Sequence, residues 1–211
     1  LGLLVFLLID TANEGLEKAA RVPGSLQGII LFGAGALLAY FLIQMISSRK
    51  AGKRDEAAGR LNVALLLAIG IGLHNLAEGL VVGAAYASGA AALGAFLVVG
   101  FTLHNVTEGI GIAAPVAVDR PSLKSFITLA AIAGLPAIVG AWIGGFIYSD
   151  LAATIFLGVG TGAIVQVIVE VGKLLMRHGQ REGQSVATLP NLIGFALGLA
   201  IMYATALLVA V

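Results

Sequence analysis

The stretch "LNVALLLAIGIGLHNLAEGLVVGAAYA" (residues 61–87) decides the fold. Its apolar length exceeds the roughly 20 residues that carry a helix across a bilayer, so it reads as a membrane span. It nevertheless contains His74, Asn75 and Glu78. Such side chains are costly at membrane depth unless they face partners or a water-filled cavity. The next apolar stretch repeats them, because "LHNLAEG" (73–79) returns as "LHNVTEG" (103–109).

The rest of the chain has the same character. Of 211 residues, 59% are hydrophobic and 11% charged, far from the composition of a soluble domain. Six stretches are long enough to span, at about 26–47, 61–87, 90–117, 123–148, 151–176 and 188–211. The expected fold class is therefore all-α, a polytopic membrane helix bundle forming one transmembrane domain over residues 1–211. Small residues at Gly140 and Gly144, Gly158 and Gly162, and Gly194 and Gly198 are spaced to let helices approach closely. With no cysteine, disulfides and thiolate ligands are excluded. A net charge of +1 carries no signal for nucleic acid, and no such partner is expected.

The first residues, "LGLLVFLLIDTANEGLEKAA" (1–20), offer only nine mostly apolar positions before Asp10, too few for a span. They also lack the basic start and small-residue cleavage site of a signal peptide. They are expected to be the second half of a helix whose first half, with an earlier helix, lies outside this sequence.

Charge sets the orientation. If spans alternate sides, the loops at 48–60, 118–122 and 177–187, with their flanks, share one side and hold ten of the twelve Lys and Arg residues. The opposite side has Lys18 and Arg21. By the positive-inside rule the basic loops are cytoplasmic and the C-terminus lies outside, in a cell (inner) membrane protein. The run "RKAGKRDEAAGR" (49–60) serves as this topological signal or contacts lipid headgroups.

The ionisable residues within spans carry the function. Residues four apart share a helix face, so His74 stacks with Glu78, His104 with Glu108, and Gln166 with Glu170. Asn75 and Asn105 flank the first two faces. Imidazole, carboxylate and carboxamide oxygen are donors suited to zinc, iron or manganese, and two such faces supply four to six ligands. One His or one Glu alone would fit a structural role equally well. The duplication points to function. Gly79 and Gly109, each after a Glu, leave room for a neighbouring helix or are ordinary packing glycines, and Pro115 and Pro136 are expected to kink their helices.

These motifs resemble those of the ZIP (Zrt-, Irt-like protein) family of divalent metal transporters. His74, Asn75, Glu78 and Gly79 match the His-Asn-x-Pro-Glu-Gly-type motif of the family's fourth helix, and His104, Asn105, Glu108 and Gly109 match the related motif of the fifth in a form seen in bacterial members. The resemblance implies an eight-helix fold of which this chain supplies the end of helix two through helix eight. It also implies a mid-membrane metal site of His74, Asn75, Glu78, His104, Asn105 and Glu108, with Zn2+ or another divalent transition metal (iron, manganese or cadmium) as transported substrate. Ala77 and Thr107 stand where the family usually has proline, and Leu135 precedes Pro136 where many members have a Glu. A single metal is therefore expected rather than two. The short loop before residue 61 has no His, which argues against a metal-sensing loop.

The resulting expectation is a transporter, not an enzyme, whose partners are a divalent metal ion and the lipid bilayer; a homodimer is left open. Asp10, Asn13 and Glu14 are candidates for the outer part of the path, and Gln166 and Glu170 for the cytoplasmic part. One geometric difficulty arises. Consecutive spans are antiparallel, so with level histidines Glu78 and Glu108 start about 12 Å apart in height at 1.5 Å per residue, and a stagger or tilt is expected to close the gap. Two other readings fit the same residues: a b-type cytochrome with His74 and His104 as haem ligands, and a proton channel built on the same carboxylates.

Overall fold

The structure, a computed structural model, describes residues 1–24, 26–49, 56–183 and 185–207. It contains seven α-helices among these residues: α1 (Gly2–Arg21), α2 (Gln27–Arg49), α3 (Glu56–Ala87), α4 (Ala91–Ala113), α5 (Leu123–Phe146), α6 (Asp150–Glu182) and α7 (Leu189–Ala206). Six of them, α2 to α7, are long and apolar enough to cross a membrane. Lys50, Lys53 and Arg54 of the basic loop, and residues 208–211 of the last expected span, lie outside the described residues.

Helix boundaries follow local chemistry. Ser122 and Ser149 cap α5 and α6, accepting hydrogen bonds from the amides of Ser125 (3.3 Å) and Ala152 (3.1 Å). α6 runs past the expected apolar end through "RHGQRE" and stops at Gly183, whose φ of 65° is the left-handed conformation glycine adopts freely. α4 gives way at Ala113 to a 3-10 segment, Ala114–Asp119, because Pro115 cannot continue the α-helical ladder.

The bundle is inside out relative to a soluble protein. Outward-facing residues are large and apolar, such as Ile30, Phe41, Trp142, Phe146 and Leu189, each at least 60% exposed. The buried set includes Thr11, His74, Glu78, Glu108 and Gln166. This distribution suits a lipid surround, where the polar groups must be satisfied inside.

α3 is the central element, packing against α4, α5 and α6. Its seam with α5 is made of glycine on both sides. A Cβ at Gly79 or Gly83 would strike the carbonyls of Ala137 or Ala141, and one at Gly140 or Gly144 would strike those of Leu76 or Leu80. Gly158 and Gly162 of α6 meet the Phe32 and Ala36 carbonyls of α2 in the same way. In the third expected pair, Gly198 packs against Leu3 of α1, whereas Gly194 faces open space. Gly109 also faces open space, unlike Gly79.

Two contacts sort the helix ends. Arg60, at the start of α3, forms a two-pronged ion pair with Asp119, beyond the end of α4, its Nε lying 2.8 Å from Oδ2. At the other end, the Lys18 ammonium lies 5.6 Å from the centre of the Tyr148 ring, joining the end of α1 to the α5–α6 connection. The pairing agrees with spans that alternate direction.

Candidate metal centre

His74 and Glu78 lie on α3, and His104 and Glu108 on α4. All four are buried, at 1–5% exposure, in helices made mostly of apolar residues. His74 Nε2 lies 3.3 Å from Glu78 Oε1 and 4.0 Å from Glu108 Oε1, and His104 Nε2 lies 3.6 Å from Glu108 Oε1. The two imidazole rings are 6.3 Å apart, centre to centre. Ligand atoms of His74, Glu78 and His104 all fall within 4.8 Å of one another.

The expected gap in carboxylate height is closed, since His74 Nε2 has a carboxylate oxygen of each helix within 4.0 Å. The Cα–Cβ bond of every helical residue tilts toward the helix N-terminus. In antiparallel α3 and α4 those directions are opposite, so Glu78 reaches back to the level of His74 and Glu108 back to the level of His104. Both carboxylates therefore converge on His74 Nε2.

Asn75 is tied to α5, which runs as one helix through Pro136. The Ala133 carbonyl of that helix accepts a hydrogen bond from Asn75 Nδ2 at 3.1 Å. A carbonyl can only accept, which fixes the orientation of the amide and leaves Asn75 Oδ1 buried and unpaired. Asn105 is half-buried, and with Asn75 and Glu108 it lines a cavity of about 230 Å³. The cavity continues past Ile71, Ile112 and Leu129, toward the end of the bundle that carries Arg60 and Asp119.

Eight buried side-chain nitrogen or oxygen atoms lack a hydrogen-bond partner among the described residues. Seven of them belong to His74, Asn75, Glu78, His104, Asn105 and Glu108. An unpaired buried polar atom is expensive, and native interiors keep few of them. Here they converge from two helices. The donor set, two imidazoles, two carboxylates and two carboxamide oxygens, is one that borderline divalent metals accept. With neutral imidazoles the two carboxylates carry two negative charges, the number a divalent cation cancels.

Of the other sequence candidates, Glu14 is near enough to interact electrostatically with His74 and Glu78, and Asp10 with His104 and Glu108, whereas Gln166 and Glu170 lie apart from this cluster. Asp10 and Asn13 are exposed on α1 and Glu14 is half-buried there. Gln166, fully buried, donates through Nε2 to Gln44 Oε1 of α2 (3.1 Å) and to Glu170 Oε1 (3.2 Å), and Glu170 accepts from Lys173 at 3.0 Å. This is a separate polar network between α2 and α6.

One site residue has no motif to announce it. Thr11 of α1 is fully buried, and its Oγ1 lies 2.9 Å from His74 Nδ1. Its only sequence signal is position, since it falls in the buried stripe Leu4, Leu7, Thr11, Gly15 and Ala19 as the sole polar member.

No protein-family model, curated protein or solved structure matches this chain.

Proposed function

We propose that the protein is a membrane transporter of the ZIP type that moves a divalent metal ion, zinc foremost, into the cytoplasm through the His-Asn-Glu site. The observation that carries this reading is the convergence, at one place in an apolar bundle, of seven buried ligand atoms that have no hydrogen-bond partner among the described residues. A metal ion entering from outside exchanges its water for imidazole, carboxylate and carboxamide donors. It then leaves through the cavity bounded by Asn75, Asn105 and Glu108, which points toward the end carrying the basic residues. The charge asymmetry supports the same direction.

A proton relay is the second reading, favoured by the run of contacts from Glu78 through His74 and Glu108 to His104. The haem reading gains no such support. Carboxylate oxygens stand beside His74 Nε2, where a porphyrin would need room.

Uptake of radioactive zinc into proteoliposomes distinguishes the first two. Metal transport by the unaltered protein and its loss in a Glu78→Ala, Glu108→Ala double variant is the expected result. Zinc uptake unchanged by the double substitution contradicts the metal site, and proton flux without zinc uptake favours the relay.

A further inference from the structure

We infer that Thr11 is a positioning residue for His74, holding its imidazole from the rear so that Nε2 is presented to the metal; the inference rests on the metal reading above. Thr11 and His74 lie on different helices, α1 and α3, and their 2.9 Å contact uses the ring nitrogen that faces away from the carboxylates.

The behaviour of the other helical threonines marks this contact as unusual. Thr102, Thr128, Thr154 and Thr161 each return their hydroxyl to the backbone carbonyl four residues earlier in their own helix, and Thr107 and Thr205 likewise bond carbonyls three or four residues earlier, Thr107 also reaching Met202 Sδ of α7 at 3.1 Å. That is the local solution for a hydroxyl in an apolar helix. Thr11 instead places its hydroxyl against an imidazole 63 positions away in sequence.

A metal-bound imidazole donates its second ring N–H to an outer partner, which fixes both tautomer and ring orientation. With metal on Nε2 of His74, the proton sits on Nδ1 and is donated to Thr11 Oγ1. A hydroxyl can both donate and accept. Thr11 thus serves the metal-free ring in either neutral tautomer and the loaded ring in the one that metal requires. Because it comes from α1, it also ties that helix to the ligand pair on α3 and α4.

The test compares the full chain, purified in detergent, with Thr11→Val and Thr11→Ser variants, with His74→Ala as reference. Valine keeps the shape and loses the hydroxyl; serine keeps the hydroxyl. Calorimetric titration with zinc is expected to show binding weakened about 10–100-fold by Thr11→Val, the range for loss of an outer partner, and near the wild-type value for Thr11→Ser. Nitrogen-15 spectra of histidine-labelled, metal-free protein, assigned with His74→Ala, are expected to show a hydrogen-bonded His74 Nδ1 that changes in Thr11→Val and persists in Thr11→Ser. Wild-type zinc affinity in Thr11→Val overturns the inference. So does a serine variant as weak as the valine one, or a wild-type His74 Nδ1 without a hydrogen bond. If the unaltered protein binds zinc no better than His74→Ala, the metal reading fails by itself. The metal-free spectra then still decide whether Thr11 orients the ring, and they decide it from the wild type and serine variant if Thr11→Val does not fold.

Discussion

His74 has two ring nitrogens with two different tasks. Nδ1 meets Thr11, and Nε2 meets Glu78 and Glu108, so the imidazole is fixed from behind while its other edge faces carboxylates from both helices. Removing a ligand should cost more than removing its outer partner. Glu108→Ala and His74→Ala are expected to weaken zinc binding beyond the roughly 10–100-fold loss typical of an outer residue, as read by calorimetric titration. Affinity reduced only slightly in both would mean that zinc binds elsewhere. At this scale the six motif residues were legible because each pair repeats at helical spacing. Thr11 was not, because a single threonine in a helix commonly bonds its own backbone and carries no signature of a distant partner. Sequence spacing also overstated the separation of Glu78 and Glu108, since it counts backbone rise and omits the N-terminal tilt of side chains.

At the scale of elements, α3 and α5 set how closely the site is framed. Gly79 presses on the Ala137 carbonyl, whereas Gly109, in the equivalent place of the second motif, has no neighbour within 4 Å of a Cβ. The two glycines look alike in sequence and differ in structure. Gly79→Ala is expected to destabilise the protein by about 1–3 kcal/mol through overpacking. Gly109→Ala is expected to be neutral or to stabilise α4 by up to about 1 kcal/mol. Thermal unfolding in detergent compares them directly, and equal midpoints would show that the seam tolerates a methyl group. All six spans were legible from apolar length, but their ends were not. Pro115 cut α4 short, while the polar "RHGQRE" extended α6, because helix propensity and capping rather than hydropathy decide where a helix stops. Pro136 was expected to kink α5, which runs as one helix through it, and nothing in sequence showed that Ala133 of that helix would anchor Asn75.

For the whole molecule, the proposal requires one sidedness and one charge logic. The chain has no cysteine, so single cysteines report topology cleanly. Ser88→Cys, in the α3–α4 turn, should react with a membrane-impermeant maleimide added to intact cells, and Ser185→Cys, between α6 and α7, only after the cells are opened. The reverse pattern would invert the orientation and with it the direction of transport. Metal uptake should also decline as the medium is acidified, because protonated imidazole and carboxylate groups cannot bind metal; uptake that rises with acidity in proteoliposomes without a pH gradient would contradict this ligand set.

The central claim is that the six converging side chains hold a transported metal ion. Elemental analysis of the purified protein after zinc loading and desalting, alongside a His74→Ala, Glu78→Ala variant, tests it most directly. The account predicts about one zinc per chain in the unaltered protein and almost none in the variant. Equal zinc in both, or none in either, would contradict it.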